Sequence, residues 1–229
     1  MGNFSLEYLK WLKAAYEHAR SAHADPDISL DDFQGWVWDG NDPLSEGGWT
    51  DVVVTSANLK LPASSAPSTA DWKTDFRVLQ FEQGDYAHFD GLQLPHGYRS
   101  SSPIHPHIHF IPVSDIADGE TVVFNMTYTI ANPFDIFSDN ATGTMTFTNN
   151  VETRAKIKDR ALSGTTVLAD SHMIAGDLEI VVPGLGMSAV MIGNIEYSAS
   201  STYSGNIIYG SGDAHAVFDR FGSQYQYSD

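Results

Sequence analysis

The sequence predicts an all-β protein, a jelly-roll or β-sandwich domain with an N-terminal helical extension. Three observations predict it. Short runs rich in Val, Ile, Thr, Tyr and Phe recur from Asp51 onward, separated by Gly, Pro, Asn and Asp. Several runs alternate apolar and polar side chains, as TVVFNMTYTI (121–130) and ATGTMTFTN (141–149) do. Helical periodicity shows only near the N-terminus, and no repeat of fixed period points to a propeller or solenoid.

The helix is expected over residues 5–24. Ser5 suits the N-cap with Glu7 in the first turn, Leu9, Leu12, Tyr16 and Ala19 recur at helical spacing, and Asp25-Pro26 ends the pattern. A solitary helix of this length needs a partner, either its own β domain or a neighbouring subunit. Residues 25–50 read as loop, with DP, DG and GG turn signals and three tryptophans, Trp36, Trp38 and Trp49. These features divide the chain into an attachment or oligomerisation extension, 1–48, and a β domain, 49–229.

Within the β domain, strands are expected at 51–61, 76–81, 86–94, 104–111, 121–130 and 141–149, with PASSAPSTA (62–70) as a loop. TRAKIKDRA (153–161) places Arg154, Lys156, Lys158 and Arg160 at period two, so as a strand it would gather four of the chain's 12 basic residues on one face. Two readings stand: a solvated strand that deters edge pairing, or a contact with an acidic neighbour such as another copy of this chain.

The formal charge of −17, from 29 acidic and 12 basic residues, argues against a nucleic-acid partner, because a phosphate backbone needs a cationic face. With no cysteine, neither disulfides nor thiolate metal sites can form. No run approaches the ~18 apolar residues of a membrane span, and the N-terminus lacks signal-peptide character, which predicts a chain made in the cytoplasm with no membrane partner. No dinucleotide fingerprint, Walker loop, HExxH or GxSxG motif is present.

The chemistry concentrates in LPHGY (94–98) and IHPHIHF (104–110). In a strand, Ile104, Pro106, Ile108 and Phe110 should face the core, and His105, His107 and His109 should point together to the other face. Pro106 lacks an N–H, so this strand should be an edge or locally unpaired there. Three readings compete for the row. It is a structural ladder, a divalent metal site, or a cupin-like catalytic centre; the last lacks the glutamate expected after the H-x-H pair. Same-face neighbours along a strand lie ~6.5–7 Å apart, so two can share a metal only if their rings lean together. A three-fold assembly relaxes that limit, since histidines from three chains could meet on the axis. The metal candidates are thus His105, His107 and His109, joined by His96 or His215. His172 reads as an ordinary histidine.

The runs WTDVVVTSANLKLPASSAP (49–67), LPHGYRSSSPIHPHIHF (94–110), VVFNMTYTIANPFDIF (122–137) and IEYSASSTYSGNIIYGSGDAHAVFDRFGSQYQY (195–227) occur in a telling order. They resemble a family of virion proteins of tailed phages and prophages, with an LPHGW-type turn, an I-x-P-H-I-H-W-type strand and an H-y-x-x-D-x-x-G-S ending. The resemblance spans about residues 49–229. It carries over His96, His105, His107, His109, His215, Asp219, Gly222 and Ser223; Tyr98 and Phe110 stand where the family has tryptophan. The resemblance implies a non-enzymatic virion protein, assembled in the host cytoplasm, in the manner of a homotrimeric capsid decoration, spike or tail component. Residues 1–48 lie outside the resemblance and would bind another virion protein or bundle with their symmetry mates; the histidine row would lie at or near a subunit interface, where it could hold a divalent metal. The alternative is a receptor- or carbohydrate-binding tip using aromatics among Trp36, Trp38, Trp49, Trp72, Tyr203 and Tyr209 to bind a host surface glycan. A metal-dependent enzyme comes third.

Overall fold

A computed structural model of the chain describes residues 49–217. The expected helix at 5–24, Trp36, Trp38, Asp219, Gly222 and Ser223 lie outside the described residues. The described part is a sandwich of two antiparallel sheets. One sheet contains β1 (Trp49–Thr55), β3 (Ser68–Trp72), β4 (Phe76–Phe81), β6 (Ile104–Pro112), β11 (Met173–Ala175) and β13 (Ile207–Val217). Its order is β11-β6-β13-β4-β3. The far side of β13 is shared end to end: β4 pairs with Ile207 and Ile208, and β1 takes over from Ser211 to Val217. The other sheet runs β2-β5-β12-β7-β8, from β2 (Leu59–Lys60), β5 (Tyr86–Gln93), β7 (Thr121–Ala131), β8 (Ala141–Thr148) and β12 (Val190–Tyr197). Two-residue strands β9 (Leu162–Ser163) and β10 (Thr166–Val167) form a small separate ladder.

The period-two apolar pattern closes this sandwich. Ile104, Ile108 and Phe110 of β6 meet Val122, Phe124 and Met126 of β7, Met145 and Phe147 of β8, and Ile195 and Tyr197 of β12 in one core. Phe110 lies at its centre, edge-on to Phe147 at 5.6 Å and tilted against Phe124 at 6.1 Å between ring centroids. Tyr98, at the other tryptophan position of the family pattern, is buried as well, and its hydroxyl donates to the Ser102 carbonyl. Both aromatic replacements are therefore core residues. Gly193 lets β5 and β7 flank β12 closely, since a Cβ there would sit 2.3 Å from the Thr127 carbonyl oxygen and 2.8 Å from the Phe89 ring.

Three expectations need correction. The run 51–61 is two strands, because Asn58 Oδ1 accepts hydrogen bonds from the Thr55 amide (3.1 Å) and hydroxyl (2.8 Å) and turns the chain between them. The 62–70 loop gives way to β3 from Ser68, paired with β4. The basic segment 153–161 is not a strand. Asn150 caps a single helical turn, Val151–Arg154, by accepting from the Thr153 amide, and a 3-10 turn follows at Asp159–Ala161. Arg154 turns inward to Asn149 Oδ1 (3.0 Å) and pairs with Asp118. Local capping and one inward guanidinium override the period-two spacing, so the four basic residues share no strand face.

Candidate functional site on the outer face of β6 and β13

Strand β6 alternates buried and half-buried along its whole length, with Ile104, Pro106, Ile108 and Phe110 inward and the three histidines outward. It is not an edge strand. Pro106 nevertheless sits at a gap. The Ile104 amide donates to Ile180, so the backbone nitrogen two residues on points to the same side. On that side β11 pairs only with Ile108–Phe110. Between the Ile108–Ala175 pair and the Ile104–Ile180 bridge the chain bows away through Gly176–Glu179, where no ladder N–H is needed from Pro106. The bowed segment is tied back by Gly176, which exchanges backbone hydrogen bonds with Thr146 of β8.

On its other side β6 runs in register with β13, placing His105 opposite His215, His107 opposite Asp213 and His109 opposite Ser211. A bulge at Gly210, between the Tyr209 and Ser211 pairings, makes this possible. Without it Tyr209 would share a face with Asp213 and His215. With it Tyr209 turns into the core and its hydroxyl donates to the Val54 carbonyl at 2.8 Å, while Ser211, Asp213 and His215 turn outward.

The result is a carboxylate among imidazoles. Asp213 Oδ1 touches His107 Nε2, and Oδ2 lies 3.2 Å from His109 Nε2. Ring centroids are 4.5 Å apart for His107 and His215, 5.0 Å for His107 and His109, and 4.9 Å for the stacked His109 and His172. His109 Nδ1 and His172 Nε2 share a hydrogen bond of 2.7 Å. Burial lowers the proton affinity of His109 and the neighbouring His107 and His172 lower it further, against the opposing pull of Asp213. The ligand atoms of His107, Asp213 and His215 all lie within 4.8 Å of one another. An open depression of about 380 Å³ adjoins them, lined by His105, Pro106, His107, Gly176, Asp177, Leu178 and His215.

The structure thus brings His107, His109 and His215 together, keeps His105 on the same face at the depression, and leaves His96 in an exposed turn after β5. The histidine face points away from the core, as the alternation required, but the chain's own segment 172–178 partly covers it. Asp213 and His172 escaped the sequence reading. The D-x-H spacing of Asp213 and His215 was the available signal for the first, since period two in a strand puts both on one face. His172 had no such signal, because it meets His109 only through the β11 pairing. Of the aromatics proposed as glycan platforms, Tyr203 and Tyr209 are buried and cannot serve. Trp72 stays partly exposed beside Phe76.

No family model matches the chain, and no curated protein matches it. Solved structures with a similar chain path include a carbohydrate-binding module, CBM36, in complex with calcium and xylotriose. It has 9% identity, a TM-score of 0.35, and coverage of 72% of this chain and 98% of that one. The CBM36-1 domain of a multidomain xylanase from the hindgut metagenome of Trinervitermes trinervoides has 8% identity, 72% and 96% coverage and a TM-score of 0.34. A family 30 carbohydrate-binding module of a Clostridium thermocellum cellulosomal cellulase has 6% identity, 72% and 96% coverage and a TM-score of 0.31. Likenesses of this size carry nothing about ligand or activity, and the sandwich stands on its own strand pairing.

Proposed function

We propose that the chain is a non-catalytic component of a tailed-phage virion, carried as a homotrimer on capsid or tail and joined to its particle through residues 1–48. One observation supports this most. Three of the four segments that carry the resemblance, far apart in the chain, come together in one sheet, while the fourth, 122–137, lies in the other. The Arg99 amide, just after the LPHGY turn, donates to the Val217 carbonyl at 2.9 Å, and two residues earlier His215 pairs with His105 of the histidine strand. Convergence in space is what motifs belonging to one feature would show, and it supports reading them together. The strong negative charge suits a protein displayed outward. The test is mass spectrometry of purified particles together with the native mass of the isolated chain. The chain is expected in the particles and as a trimer; a monomer at micromolar concentration, absent from particles, overturns the reading.

A second reading, in which the displayed module binds a host glycan, is favoured by the corner between β3 and β4. The Trp72 and Phe76 rings meet there at 6.3 Å, and Phe76 is 60% exposed. The indole N–H donates to Asp170 Oδ1 at 2.8 Å. Lys73 pairs with Asp170 and holds its ammonium 5.5 Å from the Trp72 ring centre. An aromatic surface beside a fixed carboxylate and ammonium offers a sugar ring both a stacking face and hydroxyl partners. Glycan-array binding by the full chain, weakened about tenfold or more in Trp72→Ala, is the expected result. Binding unchanged by that substitution removes the corner as the site.

A further inference from the structure

We propose that His107, Asp213 and His215 form a divalent metal site within each single chain, selective for borderline transition ions such as Zn²⁺ and Co²⁺. This differs from a histidine row shared on a three-fold axis, and it does not rest on the virion reading.

The first ground is the state of Asp213. Its Oδ1 is buried and accepts no hydrogen bond from any described residue, although it touches His107 Nε2. The contact exists, but no N–H points along it. His107 has its other ring nitrogen engaged. Its Nδ1 faces the His105 carbonyl oxygen at 3.5 Å, an atom that can only accept, which favours the tautomer with the proton on Nδ1. Nε2 is then unprotonated and lies beside a carboxylate oxygen in a half-buried site. Two acceptor atoms in contact call for a positive charge, a proton or a metal ion. A metal ion supplies it and is the arrangement in which a ligating imidazole gives its other N–H to a carbonyl.

The second ground is the donor set. Neutral imidazole and carboxylate suit Zn²⁺, Co²⁺, Ni²⁺ or Fe²⁺, whereas Ca²⁺ takes oxygen ligands. Bonds of ~2.0–2.1 Å put tetrahedral ligand atoms ~3.4 Å apart. The three donors, all within 4.8 Å of one another, therefore close on an ion by small side-chain rotations with the strands unmoved. Geometry also says why the row itself is not the set. Its two ends, His105 and His109, start ~13–14 Å apart along the strand, while His107 and Asp213, opposite each other across the strands, start ~4.5–5.5 Å apart. The ligands are accordingly drawn from β6 and β13 together. His109 holds Asp213 through its other oxygen and is braced by His172, so it serves as a positioning residue.

The third ground is space. The depression of about 380 Å³ borders His107 and His215, so coordination positions left open by three protein ligands face solvent. Water or a small oxygen ligand can complete the shell there.

The experiment uses the full chain, stripped with chelator and titrated with Zn²⁺, Co²⁺ and, as a control, Ca²⁺. Calorimetry and elemental analysis should give one Zn²⁺ per chain and no Ca²⁺ binding, and Co²⁺ should acquire the visible absorption of a low-coordinate nitrogen and oxygen site. Asp213→Asn and His215→Ala should weaken Zn²⁺ binding by about a hundredfold or more, and His105→Ala by about twofold at most. Circular dichroism of the metal-free variants confirms that each is folded, and the Co²⁺ spectrum of the unaltered chain reads the ligands without any variant. One metal per three chains, binding lost in His105→Ala but kept in Asp213→Asn, or no uptake of Zn²⁺ and Co²⁺ at micromolar concentration each overturns the proposal.

Discussion

The two faces of the β6–β13 pair obey one pleat and carry opposite cargo. Inward, Ile104, Ile108 and Phe110 of β6 and Ala214 and Ala216 of β13 are all at most 3% exposed. Outward, the same residues' neighbours are His105, His107, His109, Ser211, Asp213 and His215. The inner face is held by dispersion and by exclusion of water, so many substitutions of similar size would serve. The outer face depends on particular atoms at particular distances, and one changed heteroatom alters it. Stability and chemistry are thus separated across the thickness of a strand.

That separation can be broken or sharpened by experiment. The largest effect is expected for Phe110→Ala, which should cost about 3–5 kcal/mol in denaturant unfolding, the usual loss for a central aromatic. The folded fraction should still bind Zn²⁺ at one per chain; loss of metal along with stability would show the faces to be coupled. Next, Zn²⁺ at a hundred times its dissociation constant should stabilise the chain by ~2.7 kcal/mol, seen as a raised melting temperature. Asp213→Asn should abolish that gain while leaving metal-free stability within about 1 kcal/mol. His105→Ala should change metal-free stability by about 0.5 kcal/mol or less and keep the Zn²⁺-induced gain. The smallest effect concerns Asp170, at the edge of the same sheet. Hydrogen bonds from Lys73 and then Trp72 hold its pKa below the ordinary 3.8. A folded-state value below the unfolded one means stability that is full above the unfolded value and lost as pH falls through the lowered one. Below about pH 4, Lys73→Met should therefore flatten the acid limb of the stability profile, by no more than ~0.5 kcal/mol because the pair is exposed.

Much of the fold was legible because a strand with one buried face must alternate. That rule placed β6, β7 and β8 and turned the three histidines outward. Pro106 was legible as a gap in the ladder, though not as an interior position, since whether a second strand lies beyond a proline depends on distant sequence. The basic run 153–161 misled for the complementary reason. Period-two spacing is cheap to produce by chance, and an Asn150 cap with an inward Arg154 was enough to make turns of it.

The site was half legible. The histidines were visible as a row, and His215 entered through resemblance, but the carboxylate that organises them was not seen. Asp213 is one of 29 acidic residues, and nothing local distinguishes it until β13 is laid beside β6 in register. By itself the sequence determined which faces are apolar, where imidazoles gather, and that the described residues form a β-sandwich, because alternation and turn chemistry are local. Only the tertiary structure decided which carboxylate meets which imidazole. That depends on strand register and on the Gly210 bulge, and a shift of one residue in either would turn Asp213 to the other face.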